Sequence, residues 1–181
     1  MAQRSRASPR RGSSAKPQRT RPSVEALLRR LDAGLPRIDR LTDAYNAVSV
    51  ANLVPVGGED LDQYQGPARL VRAAGDEDFG ITAHGEPAVE HPRPGEVIWR
   101  DDAGVTCRQW NWRQCTRTRI TMATTNAVYI IDGLAALGRD GLTAAGNDLA
   151  SSLIRLSPQA SIASRLIAAD QPHASWRIRT C

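Results

Sequence analysis

The spacing of hydrophobic residues predicts two helices in the first third of the chain. The first begins at Ser23 as its N-cap and is stopped by Gly34. Its apolar stripe, at spacings i, i+3, i+4 and i+7, consists of Val24, Leu27, Leu28 and Leu31. The second begins at Asp39 and ends before Pro55. Its apolar side consists of Ile38, Leu41, Tyr45 and Val48.

Between residues 59 and 132 the hydrophobic pattern changes to one that predicts strands. The segments predicted as strands are ARLVRAA (68–74), EVIWR (96–100), VTCRQW (105–110) and a buried AVYIID (127–132). Residues 101–104 are predicted as the hairpin turn that pairs EVIWR with VTCRQW. Residues 86–96 are predicted as a loop. Leucines after Gly141 predict a last helix that ends near Pro158.

Residues 105–121, VTCRQWNWRQCTRTRIT, differ most from the rest of the chain in composition. Four arginines flank or follow two tryptophans, and no acidic residue occurs from position 103 to 131. Such a segment is suited to contact an anionic, planar partner such as RNA. The residues predicted to bind RNA are Arg108, Trp110, Trp112, Arg117 and Arg119. The alternative is a strand whose tryptophans cover the core while its arginines are solvated. Periodicity does not decide which face is buried.

The net charge of +5 comes from the N-terminus. Residues 1–22 hold seven Lys and Arg and no acid, so the rest of the chain carries 17 basic against 19 acidic residues. We expect residues 1–19 to be a disordered basic tail, either an RNA-binding arm or a solubilising leader. Residues 20–157 are predicted as one domain and residues 158–181 as a loosely ordered segment. The chain has neither a signal peptide nor an apolar run long enough to span a membrane, which predicts a cytoplasmic protein.

Cysteine and histidine do not form a recognisable site in the sequence. The three cysteines include no CxxC pair, and the three histidines share no metal-ligand spacing. We expect free thiols, no metal and no cofactor. The segment around the tryptophans also offers no histidine or carboxylate, so general-base catalysis by the protein is not expected there.

Four segments together resemble the stand-alone B3/B4 domain proteins. They are TRPSVEALLRRL, LPRIDRLTDAYNAVSVANLVPVGGEDLD, PGEVIWRDDAGVTCRQWNWRQCTRTRIT and TNAVYIID, which cover about Thr20 to Asp132. These proteins are similar to the B3/B4 module of the phenylalanyl-tRNA synthetase beta subunit. The resemblance implies an α+β domain with helices packed on a mixed sheet. Relatives have a strand and a helix before the position of Thr20, so the resemblance also implies truncation at the N-terminal side.

In the synthetase the module hydrolyses tyrosine wrongly attached to the phenylalanine tRNA. Its Asp-x-x-Asn, whose Asn lines the pocket, resembles Asp43 to Asn46. A helix Asn that bonds locally is the alternative for Asn46. The family's pocket histidine falls at Gly57, and its tyrosine-selecting glutamate is absent opposite Arg113-Gln114. Tyrosine specificity is therefore not carried over. The residues predicted to bind substrate are Asn46, Asn111, Arg113 and Gln114.

The resemblance implies a free-standing domain that binds tRNA and hydrolyses a mischarged aminoacyl-tRNA. Such hydrolysis needs mainly positioning and hydrogen-bond donors, because the RNA terminus supplies a neighbouring hydroxyl. A noncatalytic RNA-binding module and a small-molecule pocket are the alternatives. Complete ligase activity is not expected, because the chain is too short for an ATP-binding class II core.

Overall fold

The computed structural model describes residues 22–168 and 170. The helices are α1 (Ser23–Leu28), α2 (Arg40–Asn52) and α3 (Gly138–Leu156). The strands are β1 (Val56–Asp60), β2 (Arg69–Arg72), β3 (Phe79–Ala83), β4 (Glu86–Glu90), β5 (Val97–Arg100), β6 (Val105–Arg108), β7 (Arg113–Gln114) and β8 (Ala127–Ile131). The prediction of an α+β fold is confirmed. The predicted basic tail and the end of the C-terminal segment lie outside the described residues.

The strands form three antiparallel sheets. One is the ribbon β1–β8, another has the order β2–β5–β6–β7, and the third is the hairpin β3–β4. Where a mixed sheet was expected, every strand pair among residues 22–168 is antiparallel. In the same part of the chain, no helix has the length and hydrophobicity that crossing a membrane requires.

Two hydrophobic clusters divide the core between the helices and the larger sheet. The first joins α2, α3 and the β1–β8 ribbon, and its buried members are Val48, Val54, Val56, Ala145 and Leu149. The second joins the β3–β4 hairpin to the larger sheet, and its buried members are Ala73, Phe79, Ile98, Val105 and Cys115. Loss of apolar surface to water in these two places is the main favourable contribution to folding.

The first helix is shorter than its apolar pattern predicted. Pro22, not Ser23, is the residue before its first turn, and α1 ends at Leu28. Leu31 follows in a short 3₁₀ turn and is 45% exposed. The stripe therefore buries Val24 but not its last leucine. Gly34 ends this 3₁₀ turn and not the helix itself, with a φ of 87° that favours glycine.

The second helix begins as predicted, and it buries polar residues beside part of the predicted apolar side, since Val48 is buried and Tyr45 packs against the first cluster. Asp39 is the N-cap and accepts hydrogen bonds from the backbone N–H groups of Leu41 and Thr42. Ile38, predicted on the apolar side, is 65% exposed. The buried residues of α2 are Thr42, Asn46, Val48 and Ser49. A largely polar stripe is thus enclosed beside part of the expected apolar one.

The predicted loop at residues 86–96 is wrong in its first half, which forms strand β4. The turn between β3 and β4 places His84 and Gly85 at φ values of 52° and 88°, which suits a two-residue hairpin. Pro87 is tolerated because β4 pairs with β3 alone among the described strands. Strand β8 was predicted to be buried, but each of its residues is half-buried.

The strand predicted to carry both tryptophans ends before them. β6 stops at Arg108, because Gln109 and Trp110 adopt left-handed φ values of 51° and 69°. The backbone then turns and resumes pairing at Arg113. Trp110 and Trp112 therefore do not share one face of a β-strand. The hairpin turn at residues 101–104 is confirmed, with β5 and β6 paired on either side.

Candidate functional site

The β1–β8 ribbon has one face open to solvent at a glycine. Because side chains alternate along strands, Gly57 and Glu59 of β1 lie on the same face as Ile130 of β8 and Asp132 just after it. Asp132 still pairs with the ribbon, since its N–H donates to the carbonyl of Pro55. A Cβ added at Gly57 would meet no atom within 4 Å. The space beside Gly57 on this face is therefore open.

Two predicted substrate-binding amides border this ribbon. The Asn111 Nδ2 donates to Asp132 Oδ2 over 3.0 Å, and its Oδ1 accepts the N–H of Ser23 at the start of α1 over 3.2 Å. The Gln114 Nε2 donates to the carbonyl oxygen of Gly58 over 2.6 Å. Both side chains reach the ribbon from the segment between β6 and the end of β7. The structure thus brings Asn111 and Gln114 to the same ribbon, where the residues that they bond lie three positions apart along each strand.

Asn46 lies apart from those two amides. It is 8% exposed on α2, and its side chain makes no hydrogen bond with any residue in the described ranges 22–168 and 170. No direct bond joins it to Asn111 or Gln114 within those ranges. Helix α1 connects the two places, because it packs on α2 while its first residue is bonded to Asn111. The local bonding considered as the alternative for Asn46 is not observed.

Arg113, the fourth predicted substrate residue, contacts the β3–β4 hairpin. Its two Nη atoms donate to the Glu90 carboxylate over 2.6 and 2.9 Å. Arg108 shares Glu90 over 2.8 Å and binds both oxygens of Glu96 over 2.9 and 3.0 Å. Both guanidinium groups lie over the Phe79 ring, at 5.4 and 5.5 Å from its centre. We call these residues (Phe79, Glu90, Glu96, Arg108 and Arg113) the arginine network.

The arginine network is compensated within the fold. Arg108 is 7% exposed, and hydrogen bonds to Glu96 raise its pKa further. Burial opposes ionisation of Glu96, but the Arg108 guanidinium outweighs it and lowers the pKa of that carboxyl. The acids that the sequence lacks around Arg108 are therefore supplied by other strands. Whether Arg108 contacts RNA stays a prediction.

The other residues predicted to bind RNA occupy different environments. Arg117 donates to both oxygens of the fully buried Asp101, over 2.9 and 2.8 Å. Trp110 is 41% exposed and Trp112 is half-buried. Arg119 is exposed, and its backbone bridges to Glu59. Among the residues that the structure describes, Arg119 has no ion pair.

The structure adds two carboxylates that were not expected near this segment. Glu59 is 4% exposed and accepts a hydrogen bond from the Tyr64 hydroxyl, and burial raises its pKa. Burial also raises the pKa of Asp132, although Trp110 and Asn111 donate to it. The expectation that no carboxylate lies nearby is therefore wrong. Sequence reasoning missed both because they belong to β1 and to the end of β8, distant from residues 105–121.

Two cysteines, Cys107 and Cys115, lie in the described part of the chain, and both are buried and form no disulfide there. Cys107 is 9% exposed, and burial together with the charges of Glu59 and Asp132 raises its pKa. A thiol in this state is a poor nucleophile, because the thiolate is the reactive form. Cys115 is 1% exposed, with its Sγ 3.3 Å from the Thr118 hydroxyl.

A family model described as the B3/4 domain matches residues 12–138 of this chain. The match spans both candidate amides, the ribbon and the arginine network. No curated protein matches the sequence.

Proposed function

The chain belongs to the B3/4 domain family, the domain of the phenylalanyl-tRNA synthetase beta subunit, and we propose that it hydrolyses a mischarged aminoacyl-tRNA as a free-standing cytoplasmic domain. The observation that carries this proposal is the side chain of Asn46. Among the described residues no hydrogen bond occupies this amide, so its donor and its acceptor are both available to a ligand. An aminoacyl ester offers an amino group and a carbonyl, which match the acceptor and the donor of an amide.

The other predicted substrate-binding amides border the open face of the ribbon, which is the face opposite to Val56 and helix α2. Gln114 uses its Nε2 on Gly58, which leaves its Oε1 for a ligand. Asn111 is fixed at both ends by Ser23 and Asp132. Amides held in this way supply preorganised polar groups at little reorganisation cost during reaction. The neighbouring hydroxyl of the RNA terminus assists attack on the ester, so the protein contributes mainly positioning.

The amino acid that is removed differs from tyrosine in this proposal. Gly57 stands where relatives have the pocket histidine, and Arg113 is engaged by Glu90 where their tyrosine-selecting glutamate is expected. A site built to bind a hydroxyl group discriminates strongly only if its polar partner is present. We therefore propose a substrate class defined by the aminoacyl ester and not by a phenolic side chain.

The test is deacylation of a panel of misacylated tRNAs by purified protein. We expect turnover of at least one member, with a loss of about 10²-fold or more in Asn46→Ala, the size found when a positioned polar group is removed. Asn52→Ala is the matched control, because Asn52 lies on the same helix but donates to Val48 and Asp148. Folded wild-type protein that hydrolyses no member of the panel contradicts the proposal, as does equal loss in both variants.

A noncatalytic RNA-binding module is the second candidate, and the exposure of Trp110 favours it. A base that stacks on an exposed indole contributes about 1–3 kcal/mol. In this case RNA affinity falls steeply with salt and drops in Trp110→Ala, while no ester is hydrolysed. Salt-independent binding that Trp110→Ala leaves unchanged rules this candidate out.

A further inference from the structure

Asp132 is a carboxylate without a cationic partner at the edge of the open face. Its donors are the Asn111 amide at 3.0 Å and the Trp110 indole, both neutral. No Lys or Arg of the described residues lies within ion-pair distance of it. The side chain is half-buried and the residues after it, Gly133 and Leu134, are exposed. The carboxylate is therefore partly desolvated yet reachable from solvent, and an ionised group in this position gains from a cation brought by a ligand.

The backbone that presents donors to Asp132 is strained. Gln109 and Trp110 are consecutive non-glycine residues in the left-handed region, a conformation that costs roughly 1–3 kcal/mol per residue and clusters at functional sites. This turn brings Trp110 and Asn111 to Asp132. The Gln109 Oε1 and the Ser23 Oγ are also buried without partners in the described part of the chain, and the Ser23 N–H is bonded to Asn111. Such unmet polar groups also indicate a place completed by a ligand.

The position of Asp132 relates it to the space at Gly57. Both lie on one face of the ribbon. Ile130 is paired directly with Gly57, and Asp132 is the next residue of the same strand direction to point to that face. The buried Cys107 thiol lies close enough to Asp132 for the charge of that carboxylate to raise the pKa of the thiol. A group bound over Gly57 therefore lies about one residue pair away from the carboxylate, within ~7 Å along the strand.

We propose that Asp132 binds the free α-ammonium group of the aminoacyl ester. This inference rests on the proposed function, because it names the part of that substrate which Asp132 recognises. The α-amino group of an aminoacyl ester lies close to its carbonyl and is a cation when it is protonated, and a half-buried carboxylate with neutral donors is matched to that cation. Esters whose α-amino group is blocked, such as N-acetylaminoacyl or peptidyl esters, lose the cation and leave Asp132 uncompensated. The chain thus selects esters with a free amino group.

Binding of nonhydrolysable analogues tests this directly. The probes are 3′-aminoacylamino-3′-deoxyadenosines with small, aromatic, acidic and basic side chains, each with a free and an N-acetylated α-amino group. Wild-type protein is expected to bind at least one free form about tenfold or more tightly than its acetylated form, the size of a charge-assisted hydrogen bond. Equal binding of the two forms, or binding of neither form of any probe, overturns the inference.

Asp132→Asn should abolish this preference, because it keeps the acceptor for Asn111 and removes the charge. Asp148→Asn is the matched control, since Asp148 lies on α3 and pairs with Asn52. A preference retained in Asp132→Asn overturns the inference. The wild-type comparison of free and acetylated probes needs no variant, so it remains decisive if Asp132→Asn does not fold.

A hydrolysis measurement separates this inference from the proposed function. Turnover of free and N-acetylated aminoacyl-tRNA at equal rates keeps the deacylase and removes the role of Asp132. Preferential binding of the free form without turnover of any ester keeps the role of Asp132 and removes the deacylase. For the full activity, we expect Asp132→Asn to raise KM for free aminoacyl-tRNA about tenfold and to leave the acetylated substrate unaffected.

Discussion

The arginine network and the open face of the ribbon lie on two sides of residues 108–114 and treat charge in opposite ways. In the network, Arg108 and Arg113 meet Glu90 and Glu96 with paired hydrogen bonds. At the open face, Asp132 is bonded only by neutral groups. Asn111 and Arg113 are separated only by Trp112. Asn111 bonds a carboxylate that has no cationic partner among the described residues, whereas Arg113 bonds a carboxylate whose charge is compensated.

The difference indicates which side is structural and which is free to bind. A buried guanidinium that has full carboxylate partners gains little by meeting a phosphate, because it must first lose those partners. A carboxylate without a cation gains from one. Arg108 and Arg113 therefore stabilise the fold around Phe79. Asn111 and Asp132 border the candidate site.

Removal of Arg108 should have the largest effect on this contrast. Arg108→Ala leaves the largely buried Glu96 carboxylate without its cationic partner, while Glu90 keeps Arg113, and we expect the free energy of unfolding to fall by about 3–5 kcal/mol. Urea denaturation at neutral pH measures it. Arg119→Ala is the matched control and should change stability by about 0.5 kcal/mol or less, because Arg119 is exposed. Similar small losses in both variants would show that the network is not the structural side.

The pH dependence of stability tests the role of Glu96 in the arginine network. Its folded-state pKa is lowered, so its contribution to stability is present above the ordinary carboxyl pKa and is lost as pH falls through the lowered value. Glu96→Gln should therefore cost about 2 kcal/mol at pH 7, the size of hydrogen bonds to a charged group, and progressively less toward pH 3. Denaturation curves of both proteins across this range measure the difference. A cost that does not depend on pH contradicts the assignment.

Glu59, on the open face, should behave with the opposite sign. Burial raises its folded-state pKa, so the wild-type protein loses stability relative to Glu59→Gln as pH rises from the ordinary carboxyl pKa through the raised one. The glutamine retains an acceptor for the Tyr64 hydroxyl. We expect a relative change on the order of 1 kcal/mol. The same denaturation series measures it, and a glutamine variant that becomes the less stable protein at high pH would place Glu59 with Glu96.

Local patterns in the sequence predicted the elements with local causes. The Asp39 cap and the hairpin turn after β5 each depend on residues within a few positions of one another. Strand β4 was missed because its turn uses His84 at positive φ and its first pair includes charged Glu86 opposite Ala83. Ile38 was misassigned because burial on α2 follows the neighbours of that helix, which enclose polar Asn46.

The site depended on contacts that no local pattern contains. Family resemblance predicted Asn46, and the chemistry of their side chains suggested Asn111 and Gln114, which both bond to the ribbon. Asp132 lies at the end of a predicted strand, and the sequence did not indicate that Asn111 and Trp110 contact it. The left-handed turn at Gln109 and Trp110 contains no glycine, so the end of β6 was also hidden from the sequence.

The smallest expected effect concerns RNA binding, the second candidate function. It compares Arg119 with Arg113, which is paired with Glu90. Arg119 has no ion pair among the described residues, whereas Arg113 must leave Glu90 to meet a phosphate. Arg119→Ala should reduce the slope of log affinity against log salt by about one, with a smaller reduction in Arg113→Ala. Filter-binding titrations at several salt concentrations measure both slopes. Equal reductions would mean that RNA displaces Glu90 from Arg113, and the compensated side of this segment would then also be a binding side.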